Sequence, residues 1–383
     1  MAENPSLELI KFGSQRFANA SARYNAMIKA ILFRFAAIFI SLLIVASVAE
    51  LALRMFAPGL GLSIKERSLF CRFDHELGWA PLENITHVDK NGFLFHQNQF
   101  GLRGPDDMQL KKTSGRKRVL VLGDSYVWGV GASQQELFTA PAVHGTNDEL
   151  INGGVSGYGT DQEYLFYLRE GEKFEVDQVV LAFTPYNDVT NNLNSMQYSY
   201  LKPYFTLNGD QLVRHDDHVR NSSVRGFFRF LDRECRVWNL AGKGFDGLEN
   251  TLLRKPKHEA DIVVSENDRA GIILTLALLK KLKEAVAARH AEFYVVFIPY
   301  KPRIEKHLPD NHPFVPLIAA GLTQMGVSYR EPYPEFLKSA MAGVDPFNPS
   351  DDNHFNAAGH ALFARFVTDT DLARASTDYY THQ

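Results

Sequence analysis

Short apolar runs that end in a polar turn recur in this chain and constrain its fold more than any other feature. The clearest is RVLVLGDS at 118–125, and similar runs stand at 148–152, 177–183, 292–298 and, more weakly, 326–330. A strand that is apolar throughout is typical of a sheet buried on both faces. Helical stretches separate the runs, the clearest at 268–290. The sequence therefore predicts an α/β domain, a three-layer sandwich with a mainly parallel sheet of about five strands.

An uncharged run at 35–49, FAAIFISLLIVASVA, predicts one transmembrane helix before this domain. With its apolar flanks it is just over 20 residues long, which spans a hydrocarbon core of about 30 Å. Residues 1–34 carry five basic side chains against two acidic ones. This excess predicts a cytoplasmic segment at 1–30, an anchor at 31–54 and a periplasmic or extracytoplasmic remainder. A buried core helix and a signal peptide cleaved after Ser47-Val48-Ala49 are the alternatives.

The rest of the chain divides into a lead-in at 55–116 and a main domain at 117–383. The lead-in is irregular and expected to pack on the main domain. Within that domain, residues 190–262 form a polar and aromatic insertion, expected to be a lid or binding loop. Residues 204–213 in the insertion predict a hairpin that turns at Asn208-Gly209. A net charge of −3 gives no support to a nucleic-acid partner.

Polar blocks follow the first three strands and recur near the C-terminus. They are Gly123-Asp124-Ser125, the segment 152–157, Pro185-Tyr186-Asn187-Asp188 and Asp351-Asp352-Asn353-His354. Side chains at the carboxyl ends of parallel strands meet at one edge of the sheet. In the last block, a separation of three residues lets the carboxylate of Asp351 reach and orient the imidazole of His354. Each block also has a structural interpretation as a helix cap or turn.

The four blocks, in this order, resemble the SGNH (GDSL-type) hydrolase superfamily, which has a flavodoxin-like sandwich. The resemblance covers roughly residues 115–370, and LGW and GLRG in the lead-in resemble its bacterial membrane-anchored members. It implies a catalytic triad of Ser125, Asp351 and His354. The implied oxyanion hole consists of the N–H groups of Ser125 and Gly157 and the side-chain amide of Asn187, with Asp124 and Asp188 in support. One departure is Pro185, which stands where the family usually has glycine.

Other candidate sites are weaker, and we expect neither a metal nor a cofactor. His215-Asp216-Asp217-His218 lacks further spaced ligands and is typical of a solvated loop. Asp351, Asp352 and His354 are an alternative ligand set for a metal. The glycines at 154–159 have the wrong order for a dinucleotide loop. Cys71 and Cys235 are expected to be thiols, with a disulfide as the alternative.

The predicted function is a serine-dependent ester hydrolase that acts outside the cytoplasm through an acyl-enzyme on Ser125. Its expected substrates are O-acyl (acetyl) esters of a cell-envelope or exported polysaccharide, and its other expected partner is the membrane. Alternatives are an O-acyltransferase to a glycan and a lipid esterase or lysophospholipase. A lipid esterase needs an apolar channel, for which the insertion offers Phe205, Phe227, Phe228 and Phe230. A non-catalytic glycan-binding or assembly scaffold is the alternative from a different class.

Overall fold

The computed structural model describes most of the chain and divides it into two units. The described residues are 5–57, 67–89, 92–198, 200–220, 222, 227, 230–231, 234–241, 264–310, 312–349 and 353–368. The first unit is Met1–Ile64 with Glu234–Arg254, and the second is Lys65–Arg233 with Lys255–Gln383. Asp351, Asp352 and Phe228 lie outside the described residues.

The first unit contains one long helix, α1 (Pro5–Phe56). Its part Met27–Phe56 is long and apolar enough to cross a membrane, and it is the one such helix among the described residues. None of that apolar window is buried, so the alternative of a buried core helix is wrong. A signal sequence near an N-terminus would pass the same test of length and composition.

The end of α1 is joined to residues 234–241 of the same unit by hydrogen bonds in both directions. The carboxylate of Glu50 accepts the backbone N–H of Val237 at 3.0 Å. In return, Arg236 donates to the carbonyl oxygens of Leu53 and Ala57, at 3.2 and 3.3 Å. Carbonyl groups in the last turn of a helix lack intrahelical partners, so Arg236 caps α1.

The second unit opens with elements that were expected to be irregular. After the short helix α2 (Arg67–Phe70), the lead-in forms two antiparallel hairpins of four-residue strands. These are β1 (Cys71–Asp74) with β2 (Gly78–Pro81), and β3 (Ile85–Val88) with β4 (Leu94–Gln97).

The central sheet has five parallel strands, as the sequence predicts. From one edge to the other, its strands are Ser328–Arg330, Glu292–Phe297, Gln178–Phe183, Arg118–Gly123 and Glu149–Gly154. In chain order the elements are β5 (Arg118–Gly123), α3 (Ser125–Trp128), α4 (Pro141–His144), β6 (Glu149–Gly154), α5 (Thr160–Arg169), β7 (Gln178–Phe183), α6 (Pro185–Asn191), β8 (Met196–Gln197), β9 (Tyr200–Leu201), β10 (Tyr204–Asn208), β11 (Gln211–His215), α7 (Asp217–Arg220), α8 (Glu266–Ala288), β12 (Glu292–Phe297), α9 (Lys301–Glu305), α10 (Phe314–Gln324), β13 (Ser328–Arg330), α11 (Tyr333–Met341) and α12 (Ala357–Thr368). This architecture confirms the predicted α/β sandwich around a parallel sheet of five strands.

Alternate residues of each central strand enter two separate cores, one on each face of the sheet. In β5, Leu120 and Leu122 pack with α5, α8 and α10, whereas Val119 and Val121 pack with α3, α11 and α12. Side chains along a strand point to opposite faces in turn, so a strand covered on both sides must be apolar throughout. The run at 118–123 is fully buried because helices cover both faces of its strand.

The insertion contains the predicted hairpin. β10 and β11 pair antiparallel, with Asn208 opposite Gln211, so Gly209 and Asp210 form the turn. The turn therefore lies one residue later than predicted. Gly209 has a φ of 58°, which glycine adopts with little strain.

Candidate active site

Ser125 lies where the central strand β5 turns into α3. Asp124 precedes it as the N-cap and accepts the backbone N–H of Tyr126 at 3.0 Å. The helix packs directly on the neighbouring strand, because a Cβ on Gly154 would lie 2.3 Å from the backbone nitrogen of Trp128. This close approach fixes the start of α3, and with it the half-buried side chain of Ser125.

His354 meets Ser125 from the C-terminal end of the chain. Its Nε2 atom lies 2.7 Å from Oγ of Ser125, although 229 residues separate the two. Two bonds hold the loop before α12: the Tyr126 hydroxyl donates to the carbonyl oxygen of Asn353, and the Asn348 N–H donates to that of His354. The structure thus brings the predicted nucleophile and base within hydrogen-bond distance.

Asp351 is the predicted third member of the triad and lies outside the described residues. Its partnership with His354 therefore stays a prediction. Asp352, the alternative carboxylate beside it, is outside the described residues as well.

The groups predicted for an oxyanion hole come from the segments that follow the neighbouring strands β5, β6 and β7. Gly157 follows β6 in the left-handed region, with a φ of 82°. Within the part of the chain that the structure describes, the backbone N–H groups of Ser125 and Gly157 donate to no protein acceptor. The Asn187 side-chain amide donates one hydrogen to Asp124 Oδ2 at 3.1 Å, which leaves its second hydrogen for another acceptor.

Pro185 fits the start of α6, which carries Asn187. It occupies the first turn of the helix, where proline is favoured because its missing N–H would have no intrahelical partner. Asp188 then reaches back, and its Oδ2 accepts the N–H of Thr184 at 2.8 Å. The departure from the family glycine is therefore compatible with a regular helix start.

Asp124, the residue before Ser125, is buried and accepts several hydrogen bonds. Its Oδ2 accepts from the Thr184 hydroxyl at 3.2 Å as well as from Asn187. Burial raises the pKa of the Asp124 carboxyl, while the Tyr126 N–H, the charge of His354 and the two side-chain donors counteract that rise. The charge of His354 therefore favours the ionised form of Asp124.

The lead-in contributes residues that the sequence did not assign to the site. Trp79 Nε1 donates to the carbonyl oxygen of Ser156 at 3.1 Å, and Tyr158 donates through its hydroxyl to that of Trp79. These bonds hold the loop on both sides of Gly157. In the sequence, only the LGW motif pointed to these contacts.

Arg103 of the GLRG motif has a comparable role at the other end of α3. Its guanidinium donates to the carbonyl oxygens of Trp128, Gly129 and Ala132, at 2.7 to 3.2 Å. Burial lowers the pKa of Arg103 to about 9. The lead-in therefore fixes both α3, which begins at Ser125, and the loop of Gly157.

The other residues considered as sites, the histidines at 215 and 218 and the two cysteines, form neither a metal cluster nor a disulfide among the described residues. His215 Nε2 lies 2.8 Å from the Thr206 hydroxyl, and His218 Nε2 lies 2.9 Å from the Lys202 carbonyl oxygen. No group of three potential metal ligands occurs among the described residues. Cys71 and Cys235 form no disulfide there.

No family model matches the sequence, and no curated protein matches it. Solved structures similar to the chain include TesA, with 13% identity, a TM-score of 0.36, and coverage of 67% of this chain and 99% of TesA. The psychrotrophic esterase EstA from Pseudoalteromonas sp. has 13% identity, a TM-score of 0.34, and coverage of 70% and 100%. The acetylxylan esterase Axe2 from Geobacillus stearothermophilus has 13% identity, a TM-score of 0.36, and coverage of 67% and 94%. At these identities and TM-scores, the chemistry must be inferred from the site itself.

Proposed function

We propose that this chain is a serine ester hydrolase that forms an acyl-enzyme on Ser125. The observation that carries the proposal is the 2.7 Å distance between Ser125 Oγ and His354 Nε2 at the carboxyl end of the sheet. A serine hydroxyl is a weak nucleophile until an adjacent base accepts its proton. The N–H groups of Ser125 and Gly157, which donate to no protein acceptor among the described residues, suit a developing oxyanion.

In the proposed reaction, Ser125 Oγ attacks the carbonyl carbon of the ester while Nε2 of His354 accepts its proton. The negative charge on the carbonyl oxygen is held by the N–H groups of Ser125 and Gly157 and by the amide of Asn187. The carbon–oxygen bond to the alcohol breaks, and the leaving oxygen takes the proton from His354. Water then repeats the sequence and releases the acid. Asp351 orients His354 in this proposal.

The proposed substrates are O-acyl (acetyl) esters of a cell-envelope or exported polysaccharide. Tyr186 and Tyr300 stand side by side, with ring centroids 4.8 Å apart, and the Tyr186 hydroxyl donates at 2.7 Å to that of Tyr126, the residue after Ser125. Such amphipathic rings suit a polar substrate with a flat apolar face. Phe205, a candidate for a lipid channel, is instead buried against Tyr164 in the core.

We also propose that α1 is retained as an anchor, with the N-terminus in the cytoplasm and the catalytic unit outside. The excess of basic residues before the apolar run supports this orientation. Reporter fusions to the C-terminus test it. An alkaline phosphatase fusion should be active, and a reporter that works only in the cytoplasm should be silent.

The activity is tested with the full chain in detergent against p-nitrophenyl esters from acetyl to dodecanoyl. The Ser125→Ala variant runs beside it, and Ser114→Ala, at an exposed turn, is the matched control. We expect turnover that falls as the acyl chain lengthens and is lost only in Ser125→Ala. Turnover that persists in Ser125→Ala would overturn the mechanism. Preference for dodecanoyl would replace the glycan substrate with a lipid, and acyl transfer only to an added sugar would replace hydrolysis with transfer.

A further inference from the structure

Four acidic side chains are buried together behind Ser125. They are Asp124, Asp161, Glu163 and Asp188, each no more than 1% exposed. They come from three consecutive segments of the site: the N-cap of α3, the first turn of α5, and α6. The one cationic side chain that pairs with any of them, among the described residues, is the equally buried Lys202, which binds Asp161. The cluster therefore holds more acids than its cation can balance.

Most of the oxygens in this cluster have donors. Asp161 has Lys202 and the N–H of Gln162. Asp124 has Tyr126, Thr184 and Asn187, and Asp188 Oδ2 has the N–H of Thr184. Three oxygens lack a donor within the described residues: Oδ1 of Asp188 and both oxygens of Glu163.

One proton shared between Glu163 and Asp188 would give these buried oxygens a hydrogen-bond donor. A buried carboxylate without a donor is strongly disfavoured, whereas a neutral carboxylic acid supplies a donor of its own. Helices α5 and α6 pack together, and among nearby charges that of Asp188 acts most strongly on Glu163. Burial and the neighbouring carboxylates raise the pKa of both groups well above the ordinary range.

We propose that Glu163 is a neutral carboxylic acid that donates to Asp188 Oδ1 and serves as a positioning residue for the oxyanion hole. The proton keeps Asp188 fixed on the N–H of Thr184 at the start of α6. It also limits the negative charge in the cluster, so that Asp124 stays ionised. Asp124 in turn holds the amide of Asn187 and faces His354.

The role in catalysis rests on the proposed function, because it needs Asn187 and His354 to act on a substrate. The charged groups that act on Glu163 are Asp188 on α6, Asp124 before α3 and Asp161 on its own helix, and Lys202 in the insertion pairs with Asp161. The charge of His354 acts on Asp124, and through Asp124 on the cluster. The proton on Glu163 itself is a property of the folded protein and is measurable without any substrate.

Infrared difference spectroscopy of the folded chain tests the proton. The spectrum of wild type minus Glu163→Gln should contain the C=O band of a protonated carboxyl between about pH 5 and pH 8, where an ordinary glutamate is ionised. Glu266→Gln, an exposed acid on the first turn of α8, should lose only a carboxylate band. A carboxylate band for Glu163 as well would overturn the proposal.

Kinetics test the positioning role. Glu163→Gln keeps a donor without a charge, so its kcat should stay within about threefold of wild type, whereas Glu163→Ala should lose about tenfold or more with little change in KM. Equal losses in the two variants would overturn the role. If the wild-type chain hydrolyses no ester, the proposed function fails while the infrared result still decides the protonation of Glu163.

Discussion

The indole nitrogen of Trp79 donates to the carbonyl oxygen of Ser156, which comes 77 residues later in the chain. The Tyr158 hydroxyl donates a hydrogen bond to the carbonyl oxygen of Trp79, so the lead-in binds the loop on both sides of Gly157. Trp79 is fully buried in this arrangement. A segment that precedes the catalytic domain in sequence thus holds a loop whose N–H group is proposed to bind the oxyanion.

Replacement of Trp79 by Phe should lower kcat by about fivefold to twentyfold and change KM little. The variant keeps most of the ring but loses the hydrogen bond to Ser156, which contributes roughly 1 kcal/mol and aligns the loop. Steady-state hydrolysis of p-nitrophenyl acetate measures the effect. Trp238→Phe, in the first unit, is the control and should behave as wild type. An unchanged kcat in Trp79→Phe would mean that the loop holds its shape without this bond.

The Asn187→Ala variant should lose about 10²-fold to 10³-fold in kcat, the usual cost of removing one oxyanion donor. KM should change little, because the donor acts on charge that develops in the transition state. Asn194→Ala, just after the same helix, is the matched control. A loss below about tenfold would remove Asn187 from the oxyanion hole and leave it as a ligand of Asp124.

Asp351→Asn should reduce kcat by about 10⁴-fold, since an orienting carboxylate next to a catalytic histidine has an effect of this size. Asp352→Asn should stay near wild type. Both variants remove one negative charge from the same segment, so net charge cannot explain a difference between them. The reverse result would assign the orienting role to Asp352.

Lys202→Met should lower the free energy of unfolding by about 3–5 kcal/mol, because it leaves Asp161 charged and buried without its cation. The double variant Lys202→Met with Asp161→Leu should recover much of that loss, since no isolated charge remains. Urea denaturation of all three variants, Asp161→Leu included, provides a double-mutant cycle. A fully additive cycle would show that the pair does not couple.

Stability should fall less steeply with rising pH in Glu163→Gln than in wild type. Because the pKa of Glu163 is raised in the folded state, the folded protein keeps a proton that the unfolded chain releases above about pH 4.3. The stability from that proton is complete below this pH and is lost as the pH rises towards the folded pKa. The slope is up to about 1.4 kcal/mol per pH unit.

Urea midpoints between about pH 5 and pH 8 measure this difference. Asp188 shares this proton with Glu163, so the difference between the two proteins reports the proton of the pair. Parallel stability curves would show that Glu163 binds no extra proton in the folded state.

The central sheet was predictable because its signal is local. A strand covered on both faces must be apolar along its whole length, and each of the five runs stands out against its polar neighbours. The polar blocks at the strand ends were predictable for the same reason, since parallel strands bring their carboxyl ends to one edge. The proximity of Ser125 and His354 follows from that topology and from the position of α12.

The lead-in and the acid cluster were not predictable from local pattern. The four strands of the lead-in have four residues each, too few for an alternation of polar and apolar residues to show. Asp161 and Glu163 stand in the first turn of α5, where acidic residues are common because they favour the helix dipole. A solvated helix start and a buried one therefore look alike in sequence. Only the packing of α6 and the insertion separates them.

The bond between Glu50 and Val237 has a consequence for the order in which the protein is made. Val237 leaves the ribosome 187 residues after Glu50. At a synthesis rate of about 5–20 residues per second, Glu50 waits roughly 10–40 s for this partner. Its companion in that interval is Arg54, one turn further along the same helix and 2.8 Å away in the finished fold. Glu50 therefore pairs first with Arg54, which it keeps, and gains the Val237 N–H only when the insertion has been translated.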